Sequence, residues 1–175
     1  MAKKKRIART HPAPKVVAKA RAVKAAPRSK AGIKPKSRKT KVKKPAAWPT
    51  SIVDPGWAWD DKLPYVQGKK VGPFIYTAGQ SAIESDGTIV GKGDIKAQTH
   101  KTFENIRAIL RAAGADLQDI VKITTYITDE REFFKMLEAR GEVFGNNLPA
   151  STAVVVKALA YPEMMIEIEA VAIKM

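Results

Sequence analysis

The first carboxylate in this chain is Asp54; the fifty N-terminal residues hold eighteen Lys or Arg and no acid. Like charges without partners repel, and prolines at 12, 14, 27, 35, 45 and 49 interrupt any regular element. Such a stretch cannot gather a packed core. Taking those eighteen from the thirty-two basic residues of the whole chain leaves fourteen against seventeen acids, a net of three negative charges over residues 51–175. The pI near 10 therefore belongs to the front of the chain and says nothing about the rest. Two parts are predicted: a disordered Lys/Ala/Pro-rich basic tail over 1–50 and a folded domain over 51–175.

The tail has the chemistry of a polyanion binder. Lys3, Lys4, Lys5 and Arg6 open it, and Lys41, Lys43 and Lys44 close it. Each cation that neutralises a phosphate releases a counterion, so binding weakens steeply with salt without reading sequence. Bases would find no aromatic side chain to stack on before Trp48. A solvated tail that aids solubility fits the same composition. The stretch has no apolar block of a secretory leader, and its Lys-rich, Leu-free, proline-broken character fits a mitochondrial transit peptide poorly. A cytoplasmic or nucleoid-associated setting is expected.

Residues 51–175 are numerous enough for one core of ordinary size. No apolar run approaches the roughly 18 residues that span a bilayer. With no cysteine, disulfides, thiolate metal sites and Cys nucleophiles are excluded. The histidines, His11 and His100, are too few for a histidine metal cluster, and no metal or cofactor is expected.

Periodicity predicts the elements. Tyr65-Val66-Gln67 and Phe74 to Ala78 read as two strands of a hairpin turning at Val71-Gly72-Pro73, and Asp86-Gly87 as a second turn before a short strand at Thr88 to Val90. Asp94 opens a helix that carries Phe103, Ile106, Leu110 and Ala113 on one face and stops at Gly114. Val121, Ile123, Thr125 and Ile127 form the buried face of a strand. Asp129 and Glu132 resemble a capping box for a second helix with Phe133, Leu137 and Phe144 inward, ending at Gly145. Thr152 to Lys157 and Met165 to Lys174 complete the strands. Two helices on one face of a sheet give a two-layer α+β domain. Glu167 and Glu169, on one face among apolar residues, need solvent, a cation or an interface.

Several separated blocks then carry a resemblance: Pro64-Tyr65-Val66-Gln67-Gly68, Ile75 to Gln80, Asp94 to Thr99, Glu104-Asn105-Ile106, Ala112 to Ala115, Asp119 to Lys122, Thr128-Asp129, Leu148-Pro149-Ala150 and Ile166 to Ala172. In that order and spacing the chain resembles the YjgF/Rid family of enamine/imine deaminases, also labelled translation-inhibitor endoribonuclease L-PSP, over about residues 60–175. The resemblance implies a chorismate-mutase-like two-layer α+β sandwich, with a mixed sheet and two helices on one face, assembled as a homotrimer. Clefts between subunits would hydrolyse small-molecule enamines or imines, releasing ammonia without cofactor or metal.

Carried over by residue, Glu167 is the water-orienting carboxylate, Tyr65 a pocket tyrosine and Gly79 a backbone donor. Ala78 stands where serine is usual, and Leu137 where an asparagine is expected. Ser151 occupies the place of an arginine that clamps the substrate carboxylate, with Ala153 further along the same strand. A hydroxyl offers one neutral hydrogen bond where a guanidinium offers two charge-assisted ones. Uncompensated, the loss predicts activity on 2-aminoacrylate-type substrates weaker by roughly ten- to hundredfold or more. Two other readings stand beside deamination: a non-enzymatic trimer binding metabolites or nucleic acid through its tails, and a ribonuclease or translation inhibitor.

Overall fold

The computed structural model describes residues 46–57, 59–60 and 63–175. The tail cations Lys3, Lys4, Lys5, Arg6, Lys41, Lys43 and Lys44 lie outside them. Among the described residues six strands and two α-helices follow in the order β1 (Thr50–Val53), β2 (Gly68–Val71), β3 (Phe74–Thr77), α1 (Ile95–Ala112), β4 (Ile120–Ile127), α2 (Phe133–Phe144), β5 (Ala150–Val155) and β6 (Ile166–Ile173). The sheet runs β1-β2-β3-β6-β4-β5. Neighbours are antiparallel except β4 and β5, whose parallel pairing requires the α2 crossover.

The strands alternate as a one-sided sheet must. On β6, Ile166, Ile168, Ala170 and Ala172 are buried, whereas Glu167, Glu169, Val171 and Ile173 point the other way. The buried set joins Ile75, Ile123 and Ile127 from the neighbouring strands and Phe103, Ile106, Leu110, Met136 and Phe144 from the helices in one core. Phe103 of α1 meets Phe144 of α2 edge-on, centroids 5.0 Å apart, which locks the two helices side by side. This is the mixed-sheet, two-layer α+β sandwich that the resemblance implies.

Helix boundaries follow local chemistry. The Asp94 carboxylate accepts from the Lys96 and Ala97 amides and so caps α1, and Gly114 beyond its end adopts φ +81°. Asp129 behaves differently from the expected capping box. It caps a 3-10 turn at Glu130–Glu132 by accepting from the Arg131 amide, while Glu132 reaches forward to Lys135 rather than back to the cap.

Other expectations are displaced. The first hairpin strand is Gly68–Val71 rather than Tyr65 to Gln67. Gly68 fits there because a Cβ on it would lie 2.7 Å from Ile109 Cγ2 of α1, so this backbone can approach the helix closely. The expected strand at Thr88 to Val90 is reduced to a single bridge between Ile83 and Ile89. Val121 is exposed because a register shift between Ile120 and Lys122 turns it out of the alternation. The fifth strand starts two residues earlier than expected, at Ala150. β1 was not foreseen: Thr50 pairs with Val71, and just ahead of it Trp48 stacks against Phe74 with centroids 5.3 Å apart. The last residues of the acid-free stretch thus belong to the fold. Among the described residues no helix is long and apolar enough to cross a membrane.

Candidate active site

One cleft of about 350 Å³ opens at the end of the sheet where β6 begins, walled by Trp59, Leu63, Tyr65, Gly79, Gln80, Ser81, Ile83, Gly87, Ala160, Tyr161, Met164 and Glu167. Three structural decisions in the sequence build it. The chain leaving β3 stays alongside β6, with Gln80 and Ile168 exchanging both backbone hydrogen bonds at 2.8 and 2.9 Å. This holds Gly79 beside Glu167.

Buried amides on α1 pin the walls. Asn105 donates to the carbonyls of Ser81 (3.0 Å) and Ile83 (2.7 Å). Gln98, fully buried, donates to the Glu163 carbonyl and accepts from the Met165 amide, both at 2.8 Å. Buried backbone groups need such partners, and here the partners fix the loops on both sides of the cleft. Trp59 closes one side with Trp57 stacked on it, centroids 5.9 Å apart.

Glu167 is the carboxylate that lines this cleft. It is half-buried, and among the described residues no hydrogen-bond donor or cation meets its carboxylate. Loss of hydration, followed by repulsion from Glu169, raises its pKa above the ordinary glutamate range. Tyr65 stands close by, 54% exposed. Its phenol is also held above its usual range, by burial first and then by the Glu167, Asp60 and Tyr161 charges. A carboxylate poised to gain or lose a proton, in a partly apolar cleft, can take a proton from water and return it to a leaving group. Glu169, two residues on, lies on the exposed face near the Tyr126 hydroxyl (3.4 Å) and outside the cleft.

The structure divides the residues singled out in the sequence into two groups. Tyr65, Gly79 and Glu167 converge in the cleft. Ala78 lies just behind, its amide tied to the Gln67 carbonyl and its side chain outside the lining. Leu137, Ser151 and Ala153 are not in the cleft. Ser151 and Ala153 pair with Ile123 and Thr125, on the helix-facing side of β5, opposite to the face that carries Glu167. Leu137 packs against the core from α2. The Ser151 hydroxyl accepts a hydrogen bond of 2.7 Å from Arg140 Nη1 of α2.

Sequence patterns did not reveal Trp59, Leu63, Ala160, Tyr161 or Met164 as cleft residues, since loop positions have no periodicity to read. Gln98 and Asn105 had a signal: two amides on the apolar face of an amphipathic helix call for buried partners.

Comparison with known proteins adds relatives. The family described as Endoribonuclease L-PSP matches residues 58–174. A RutC family protein of Pyrococcus abyssi is 49% identical over 111 residues, covering 63% of this chain and 87% of that protein. The 2-iminobutanoate/2-iminopropanoate deaminase of Salmonella typhimurium is 36% identical over 115 residues, 63% of this chain and 88% of the enzyme. Among solved structures, Escherichia coli TdcF with bound serine superposes with a TM-score of 0.59 at 34% identity, over 64% of this chain and 89% of that one.

Proposed function

The chain belongs to the Endoribonuclease L-PSP (YjgF/Rid) family, and from that premise we propose that its cleft hydrolyses small 2-imino acids and their enamine tautomers to 2-oxo acids and ammonia. The observation that carries this reading is the half-buried carboxylate of Glu167, without a donor or cation among the described residues, beside Tyr65 and Gly79. A Salmonella relative named for 2-iminobutanoate and 2-iminopropanoate supports the substrate class.

Hydrolysis of a C=N bond asks for a placed water and a proton carrier. Glu167 accepts a proton from water as the oxygen attacks the imine carbon, forming a C–O bond while the C=N π electrons move to nitrogen. Glu167 returns that proton to nitrogen, giving the neutral carbinolamine, and then carries the hydroxyl proton to the same nitrogen as the oxygen electrons form C=O. The C–N bond breaks, ammonia leaves and the carbonyl remains: one imine and one water give one ketone and one ammonia. Tyr65 closes the cleft beside Glu167, and the apolar walls from Leu63, Ile83 and Met164 strengthen the proton transfer by excluding bulk water.

The reading includes assembly as a homotrimer in the cytoplasm. Tyr76, 47% exposed, and Val154, 42% exposed, lie on the sheet face away from the helices, and second copies of the chain cover it.

The test is ammonia release from 2-iminopropanoate generated in situ. Wild type accelerates it over the uncatalysed rate, and Glu167→Gln abolishes the acceleration. Equal rates for the two proteins would remove the deaminase reading.

A further inference from the structure

The cleft has a base but, among the described residues that line it, neither Lys nor Arg. A 2-imino acid is an anion at neutral pH, so its carboxylate would meet Glu167 with nothing to offset the repulsion. Within one protomer the missing charge is present, in the wrong place. Arg140 projects from α2 to the edge strand β5, where Nη1 donates to the Ser151 hydroxyl at 2.7 Å.

Cations nearby in the chain have acidic partners: Arg131, in the turn ahead of α2, with Asp129, and Lys135 of α2 with Glu132. Lys96 of α1 reaches Glu138 of α2. Arg140 has no carboxylate within ion-pair distance among the described residues, although part of its surroundings is dry enough to disfavour its charge. A guanidinium has five N–H donors, and one of them is committed here. The group is oriented by Ser151 and left free to bind an anion.

We propose that Arg140, held by Ser151 at the β5 edge, is the carboxylate-binding residue of the reaction and acts in the cleft of a second copy of this chain. The inference rests on the deaminase reading of Glu167 for the identity of the substrate. Three observations point to a second copy as the one that receives it. Glu167 and Ser151 lie on opposite faces of the sheet, so one protomer cannot use both on one small molecule. Among the described residues β5 is an edge strand with its outer side unpaired. The charges are complementary, since the cleft and its surroundings present Glu167 and Glu169 while the β5 edge presents Arg140.

This makes Arg140 a specificity-determining residue at a position the motif spacing does not mark. Loss of arginine at position 151 is then compensated from the neighbouring helix.

Binding of pyruvate and of its neutral amide, pyruvamide, to the full-length chain tests this directly by titration calorimetry. Wild type and Glu167→Gln favour pyruvate by at least about tenfold, the scale of a charge-assisted pair. Arg140→Gln loses that preference with an unchanged melting curve, and Arg140→Lys retains part of it. An Arg140→Gln protein that still favours pyruvate overturns the proposal, as does a wild type without preference.

Mixed oligomers of Glu167→Gln and Arg140→Gln chains test the sharing. Sites that combine one intact residue from each copy restore about a quarter of wild-type ammonia release in a random mixture; no recovery refutes action across the interface. The two readings fail separately. If Arg140→Gln abolishes the carboxylate preference while no protein releases ammonia, deamination is lost and anion binding stands. If Glu167→Gln abolishes ammonia release and Arg140→Gln leaves kcat/KM unchanged, deamination stands and this inference falls.

Discussion

The carboxylate of Glu167 occupies the space that any side chain on residue 79 would need. A Cβ built on Gly79 would lie 2.8 Å from Glu167 Cδ and 3.0 Å from its Cγ, inside the closest approach of carbon atoms. Glycine at 79 is therefore a requirement of the site rather than of the backbone, since Gly79 is absent from the positive-φ glycines.

Gly79→Ala should act as a site variant. The added methyl pushes the Glu167 side chain out of its position, and a side chain can swing where a backbone cannot. We expect kcat to fall by roughly 10²-fold or more, the scale of a misplaced catalytic group. The melting temperature should stay within a few degrees of wild type. Steady-state kinetics beside a calorimetric melt decides it; activity near wild type would mean that Glu167 needs no fixed position.

The raised pKa of Glu167 predicts the acid side of the rate profile. Only the ionised form accepts a proton from water, so kcat/KM rises with pH through a midpoint above the ordinary glutamate range. Glu169→Gln removes the like charge and should move this midpoint to lower pH without abolishing activity. A profile unmoved by that change would separate Glu167 from the limb.

The same shift has an opposite sign for stability. The folded protein holds the Glu167 proton more tightly than the unfolded chain does. Its contribution favours the fold in acid and is lost as pH rises through the raised value. Glu167→Gln should therefore raise Tm at pH 8 by about 2 °C, more than it does at pH 4. Calorimetric melts at both pH values measure it, and a lowered Tm at pH 8 contradicts the desolvation account.

Gln98 ties two backbone groups at the cleft wall. Gln98→Ala leaves the Glu163 carbonyl and the Met165 amide without this partner and empties a buried volume. The expected loss is about 2–4 kcal/mol from unsatisfied groups and cavity together. Urea denaturation reads the loss. Amide exchange should quicken around residues 160–165, and a variant as stable as wild type would mean that water replaces the amide.

The acid-free N-terminal stretch predicts salt-sensitive polyanion binding. The full chain should bind random duplex DNA with affinity that falls steeply between about 50 and 200 mM salt. A chain beginning at Ala46 should bind far less while keeping β1 and the Trp48 stack on Phe74. Equal binding by both, measured by fluorescence anisotropy, would assign the affinity elsewhere.

Where the sequence was legible, the reason is local chemistry. Asp94 and Gly114 delimit α1 because capping carboxylates and left-handed glycines act within a turn of the helix end. The alternation on β6 placed Glu167 opposite the buried isoleucines because strand period has no other solution. Legibility ended where partners are distant. β1 is four residues long and its pairing with β2 is set across a loop, so nothing in its own pattern announces it. The hairpin strand slipped to Gly68–Val71 because contact with Ile109 of α1, some forty positions away, decides which residues can pair there. The Arg140–Ser151 contact arises only after α2 returns the chain parallel to β4, and no motif spacing encodes that approach.

The two ends of the strand order bear on how this protein could be handled. β1 and β5 lie at opposite margins of the six-stranded sheet, about 24 Å apart at the usual spacing of neighbouring strands. The described chain enters the sheet through β1, at the margin remote from Ser151. A chain cut at Ala46 is therefore altered only at the margin opposite α2 and β5, and both partners of the Arg140–Ser151 contact keep their places.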